Sequence, residues 1–310
     1  MRRAAAPGPR PDVPHGRDPV GGVVVATAAL LFGSVVVLGS TGAVDVLPVA
    51  ALLAMRFGVA GLTLAAVLLV MRRSLRPAPG EGWRLVLLGA AGYALESALF
   101  FLALQRGTAA TVTLLFYTYP VLVAILAALT GQGVPGRLVL GSLVAAVAGT
   151  AVVVASSGGL DITTAGIAFA LGSALAFSIY LVGADRLVRR TPPLVTSMWI
   201  SLSASLALVT AAVVGGVAEL PEANAAIPVL AMGVLTAGAF FLLFLGLRRV
   251  GAVRSSVIAS LEPVAAALLA AAFLGEPLRA GVLVGGLLIL SGAVAATLAR
   301  AGPQPERGVP

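Results

Sequence analysis

Three ionisable side chains lie inside stretches that are otherwise almost wholly apolar: Arg56, Glu96 and Glu262. Each costs about 2.5–3.5 kcal/mol at the middle of a bilayer on insertion scales, so a chain that keeps three of them uses or pairs them. Counting ~1.5 Å of helix per residue, Arg56 sits roughly 24 Å from Arg72 and Glu96 roughly 18 Å from Arg84, a mismatch that an arginine side chain can span. Two readings follow. The pair locks two neighbouring helices, or both charges face a cavity that binds a substrate or carries a proton.

The neighbours of these residues recur at helical spacing. Tyr93, Glu96, Ser97 and Phe100 share one face, an aromatic and polar stripe fit to line a cavity. Further along, Thr113, Tyr117 and Pro120 share a face with Tyr119 beside them, and Ser256, Ser260 and Pro263 do the same beside Glu262. A proline within a helix frees a carbonyl, which in lipid is tolerated only toward protein or a water-filled cavity. Paired breaks of this kind mark a binding site or gate, or else kinks that serve packing. The cavity candidates are therefore Arg56, Tyr93, Glu96, Tyr117, Tyr119 and Glu262, and the gate candidates are Pro120 and Pro263. Ser197, Ser201 and Ser205 form a stripe better suited to joining helices than to lining a pathway.

Several chemistries are excluded. The chain has no cysteine and one histidine, His15, near its start, so thiolate, imidazole and His–Cys metal sites are absent from the apolar region. With no lysine there is no Walker motif, and Gly131-x-Gly133-x-x-Gly136 follows no strand and holds Pro135, so it is not a dinucleotide site. No metal, cofactor or catalytic residue is expected, and the chain reads as a non-enzyme.

The elements that must carry these residues are membrane spans. Hydrophobic residues make up 59% of the 310 and charged residues 10%, against about 25% charge in a soluble domain. A crossing needs about 20 apolar residues, and ten stretches qualify: 20–40, 46–70, 85–105, 108–130, 138–156, 163–184, 194–217, 226–247, 255–275 and 280–299. The predicted fold class is all-α integral membrane. Residues 1–19 and 301–310 read as disordered tails, and the first span as a retained helix rather than a cleaved signal.

Arginine placement orients the spans. With the N-terminus cytoplasmic, one side carries the tail arginines, Arg72, Arg73, Arg76, Arg84, Arg137, Arg186, Arg189, Arg190, Arg248, Arg249, Arg254, Arg300 and Arg307; the other carries Arg106 and Arg279. This positive-inside asymmetry places both termini in the cytoplasm. The net charge of +8 is thus topology and not a nucleic-acid footprint.

The chain also contains itself twice. At an offset of 143, Leu104, Arg106, Ala109, Pro120 and Leu126 fall on Leu247, Arg249, Ala252, Pro263 and Leu269; at 145, Gly21, Ala29, Phe32 and Pro48 fall on Gly166, Ala174, Phe177 and Pro193. Five spans per copy is an odd number, so the copies insert in opposite senses. Residues 20–160 form one repeat and 161–300 the other. Gly141, Ala145 and Gly149, with Gly281 and Gly285, make faces for close helix approach, within the fold or between two copies in a homodimer.

Ser260-Leu-Glu-Pro263, Leu274-Gly-Glu-Pro-Leu278, Gly285-Gly286-Leu-Leu-Ile-Leu-Ser-Gly292 and Met55-Arg56-Phe57 together resemble EamA-type members of the drug/metabolite transporter superfamily. The resemblance implies ten helices in two inverted repeats around a central cavity that opens alternately to each side. It also implies the fifth and tenth helices at the periphery and efflux of small metabolites. The first repeat departs from the second, with Tyr119 where the second has Glu262 and Val134 where it has Glu276. The expectation is a secondary transporter of a bacterial inner membrane. It exports or exchanges a small polar or amphipathic metabolite, amino acid-like or drug-like, with membrane lipid as its other partner. The alternative is a lipid flippase or a membrane-embedded lipid-handling enzyme.

Overall fold

A computed structural model describes residues 18–39, 47–157, 161–216, 223–275 and 277–299. The C-terminal tail, nearly all of the N-terminal one, His15 and Glu276 lie outside the described residues. Within them the regular structure is helical: α1 Pro19–Gly39, α2 Val49–Val70, α3 Gly82–Leu104, α4 Ala109–Phe116, α5 Tyr119–Ala127, α6 Arg137–Ser157, α7 Thr164–Leu187, α8 Pro193–Val214, α9 Ala223–Ala259, α10 Glu262–Leu274 and α11 Ala280–Leu298. Helices dominate because hydrocarbon offers backbone amides no partner, so each span must bond to itself. Nine helical stretches among the described residues are long and apolar enough to cross a membrane, and α10 is shorter at 13 residues.

The ninth crossing shows where the expected boundaries were off. Helix α9 runs 37 residues, too long for one crossing, and folds back at Gly251, whose φ of 78° suits a residue without Cβ. The part after Gly251 joins α10 to make the ninth span. Because one glycine reverses the chain, the loop expected up to Ser255 is absent and Arg254 lies inside the span, buried, its Nε donating to the Val250 carbonyl at 3.0 Å.

The inverted duplication is visible in the hydrogen bonds. The fourth span breaks at Tyr117–Thr118, between α4 and α5, and the ninth at Ser260–Leu261, between α9 and α10. At both breaks the same tightened turn forms: Thr118 N donates to Leu115 O at 3.2 Å and Leu261 N to Ile258 O at 3.1 Å. Pro120 and Pro263 sit just inside the second segment in each case, where a missing N–H costs nothing. Ends of spans repeat too. Gly21 at the start of α1 lies against Arg249, and Gly166 at the start of α7 lies against Arg106.

Helices pair across the halves. α2 lies along α8, α6 along α11, α1 along the first part of α9, and α3 along α7. The Ser205 hydroxyl donates to Ala54 O at 2.7 Å, joining α8 to α2. Close approach of α6 and α11 depends on glycine: a Cβ on Gly285 would collide with the Gly149 carbonyl, and one on Gly281 with Ser156. The small-residue faces therefore serve packing within the fold at these positions. Gly141 is exposed and would meet nothing. The central apolar cluster takes no residue from α6 or α11, which leaves these two at the margin. Gly285→Leu is predicted to lower thermal stability in detergent by about 1–3 kcal/mol through overpacking, while Gly141→Leu leaves the melting temperature unchanged. Equal melting of the two variants would remove the crossing from this account.

Candidate functional site

At the centre of the bundle aromatic rings converge from six helices, α2, α3, α4, α5, α7 and α9. Tyr93 of α3 is the hub, with ring centroids 5.1 Å from Phe57 of α2, 5.1 Å from Phe240 of α9 and 5.4 Å from Tyr180 of α7. Phe177 extends the cluster toward the fourth span, 4.9 Å from Tyr119 and 5.6 Å from Phe116. The chain has four tyrosines, and all of them belong to this cluster. Tyrosines in membrane proteins otherwise favour the water interface, so their collection at the centre marks a polar interior.

The ionisable residues border the same cluster. Glu96 is buried; Ser97 Oγ donates to its Oε2 at 3.0 Å, and Ser173 Oγ of α7 lies 3.4 Å from its Oε1. Glu262 is half-buried at the N-terminus of α10, where the helix dipole favours a negative charge. The Tyr117 hydroxyl and the Glu262 carboxyl interact directly. Arg56 rests 4.5 Å above the ring of Phe57. Arg56 is not ion-paired: among the described residues the two ion pairs within 4.0 Å are Arg190–Glu81 and Arg249–Asp18. Of the two readings of Arg56 and Glu96, the ion pair is not formed, and the Glu96 carboxyl is met by two serines. Arg56 Nε and the Tyr180 hydroxyl are buried without a protein partner.

The helix breaks face this region as well. Tyr119 is buried, and its hydroxyl donates to the Ser256 carbonyl at 3.2 Å, an acceptor left by the break in the ninth span. Ser260 Oγ reaches the same carbonyl at 3.3 Å, and Ser178 Oγ donates to Tyr119 O at 3.1 Å. Pro120 is buried and Pro263 half-buried beside their breaks. Of the eight candidates, none lies outside the central region. The arrangement offers a cation without a carboxylate partner within 4.0 Å and two carboxyl groups, with phenol hydroxyls and ring faces around them.

Several residues of the region had not been singled out. Tyr180 was legible as a phenol near the middle of the sixth span, and Phe240 and Phe244 as paired rings in the eighth. Ser173 had no signal of its own, since a serine in a span usually bonds its own helix. The other omission lies at the arginine-rich end. Glu81, in the turn before α3, accepts the backbone amides of Arg189, Arg190 and Thr191 at 3.1, 2.9 and 2.8 Å. Arg248 donates to the Val188 carbonyl at 3.3 Å and also to that of Thr191. Three segments are clasped there, through partners more than a hundred residues from Glu81.

A ten-helix bundle of two inverted halves, with charged and aromatic side chains gathered at the helix breaks, is the architecture of a membrane carrier. The EamA-like transporter family matches this chain twice, over residues 20–155 and 164–298, and the chain belongs to that family. It is 26% identical over 202 residues to the "uncharacterized inner membrane transporter YicL" of Salmonella typhimurium strain LT2, covering 64% of this chain and 67% of that protein. A crystal structure of another protein, 23% identical, superposes with a TM-score of 0.79 over 90% of this chain and 98% of its own, a likeness of fold.

Burial alone would raise the Glu81 carboxyl, but hydrogen bonds from the Thr191 hydroxyl and the amides of Arg190, Thr191 and Arg189 outweigh it and hold the group below the usual carboxylate range. A depressed folded value means the contribution is complete above the unfolded value of about 4.3 and is lost as pH falls through the folded one. Glu81→Gln is predicted to cost about 1–3 kcal/mol at pH 7, with a smaller difference from wild type in strong acid. Thermal unfolding in detergent across pH checks this; a difference that grows toward acid contradicts it.

Proposed function

We propose that this membrane transporter is a secondary carrier that exports or exchanges a small zwitterionic or amphipathic metabolite, amino acid-like in its charges, by alternating access. The observation that carries the reading is Arg56, unpaired by any carboxylate within 4.0 Å and with its Nε buried without a protein partner, in the region that Glu96 and Glu262 border. A cation so placed receives a ligand carboxylate, and a ligand ammonium then finds acidic partners on either side. Tyr93, Tyr117 and the rings around them supply an apolar wall with hydroxyl handles. The paired breaks at Pro120 and Pro263 supply half-helices that can tilt without tearing a continuous backbone ladder.

In proteoliposomes, Arg56→Ala is predicted to lower uptake of the substrate at least tenfold, and Glu96→Gln to weaken it with folding intact. Untargeted comparison of metabolites in overexpressing and deletion cells supplies the substrate. Unchanged uptake in both variants would sink the residue assignment. Turnover or flipping of a labelled lipid with no solute flux would favour the lipid-handling alternative.

The arginine asymmetry further supports a cytoplasmic position for both termini. The absence of cysteine makes the test direct. Single cysteines at Ser74 and at Thr108 are predicted to react with an impermeant thiol reagent from opposite sides, Thr108→Cys in intact cells and Ser74→Cys in inverted vesicles. Labelling of Ser74→Cys in intact cells overturns the orientation.

A further inference from the structure

Away from the central region, an open groove of about 570 Å³ lies between the end of the fourth span and the end of α7, lined by Leu126, Thr130, Ile179, Val182, Arg186 and Arg189 among others. It exists because the fourth span unwinds there: a π turn at Ala128–Gln132 ends in Gly131, with φ of 81°. One Arg186 nitrogen donates to the Thr130 carbonyl exposed by that turn, and Arg189 Nε donates to Asp185 O at 3.4 Å. Among the described residues the remaining donors of both guanidinium groups have no partner. The other polarity of the groove is apolar and outward: Ile179 is 55% exposed, among residues that face lipid.

We propose that this groove binds one anionic phospholipid, its phosphate on Arg186 and Arg189 and one acyl chain along Leu126, Ile179 and Val182. Paired arginine forks match phosphate oxygens, and a basic pocket between spans at the membrane boundary is suited to acidic headgroups. Two local features oppose an anion, and both are answered. The nearby carboxylate, Asp185, is engaged by the Gln132 amide at 3.3 Å. The carbonyls at the C-terminus of α7, which would repel a phosphate, are covered by arginines: Arg84 bonds Leu187 O at 3.1 Å, and Arg248 bonds Val188 O. The proposal does not depend on the transport reading.

Native mass spectrometry of the full chain in neutral detergent tests it, with phosphatidylglycerol, phosphatidylcholine and inorganic phosphate as separate probes. Wild type is expected to hold one phosphatidylglycerol in preference to phosphatidylcholine, and millimolar phosphate alone leaves it in place. Arg189→Gln, which spares the Arg186–Thr130 tie, is expected to weaken retention about fivefold. Ile179→Trp, which fills the apolar half without changing charge, weakens it too, whereas Arg72→Gln with Arg73→Gln at the same end leaves it unchanged. Equal retention of phosphatidylcholine, displacement by phosphate alone, or an equal loss in the Arg72/Arg73 control overturns the proposal. So does wild-type retention in both groove variants once their folding is verified by thermal unfolding.

Discussion

In hydrocarbon a backbone carbonyl that loses its helical partner has no water to turn to, and this constraint decides where the bundle can be interrupted. The breaks at Tyr117–Thr118 and Ser260–Leu261 survive because protein groups take over the freed acceptors. Tyr119 and Ser260 both serve the carbonyl of Ser256, and the Thr118 hydroxyl donates to that of Leu115 at 2.7 Å. The hydroxyl that rescues the ninth span comes from the fourth. The first half thus completes the backbone of the second, and this contact lies beside the central aromatic cluster.

A symmetric frame here holds an asymmetric set of charges. The two breaks share the same turn and the same proline, yet the first residue after the break is Tyr119 in one half and Glu262 in the other. At the offset that aligns Pro48 with Pro193, Arg56 falls on Ser201; at the offset that aligns Leu104 with Leu247, Glu96 falls on Ala239. No ionisable residue of the centre is duplicated. The frame is repeated between the halves, while its buried charges are not.

Arginines do two kinds of work at the opposite extreme of the molecule. Counted together they lie overwhelmingly on one side of the spans, and individually they close helix ends: Arg84 on Leu187 O, Arg248 on Val188 O, Arg254 on Ala299 O, and Arg249 paired with Asp18 at 2.8 Å. Glu81 works with the opposite sign, gathering three successive amides of a distant turn. That end of the bundle is consequently held by charge and hydrogen bonding, where the α6–α11 contact is held by glycine packing.

Span number, the duplication and the paired helix breaks were legible in the chain, since hydropathy, prolines and a constant offset are local or linear properties. The identity of the buried charges was legible for the same reason: an ionisable residue in an apolar run stands out wherever it ends up. Their partners were not. Arg56 and Glu96 are close enough along adjacent helices to suggest a pair, but Ser173, 77 residues from Glu96, takes the carboxyl instead. Rotation of each helix about its axis chooses among such partners, and it is set by packing: Gly149 against Gly285, Gly61 against Leu202, Tyr93 against three rings. Hydropathy records how deep a residue lies along the membrane normal. Which neighbour it meets at that depth is a lateral question, and only the assembled bundle answers it.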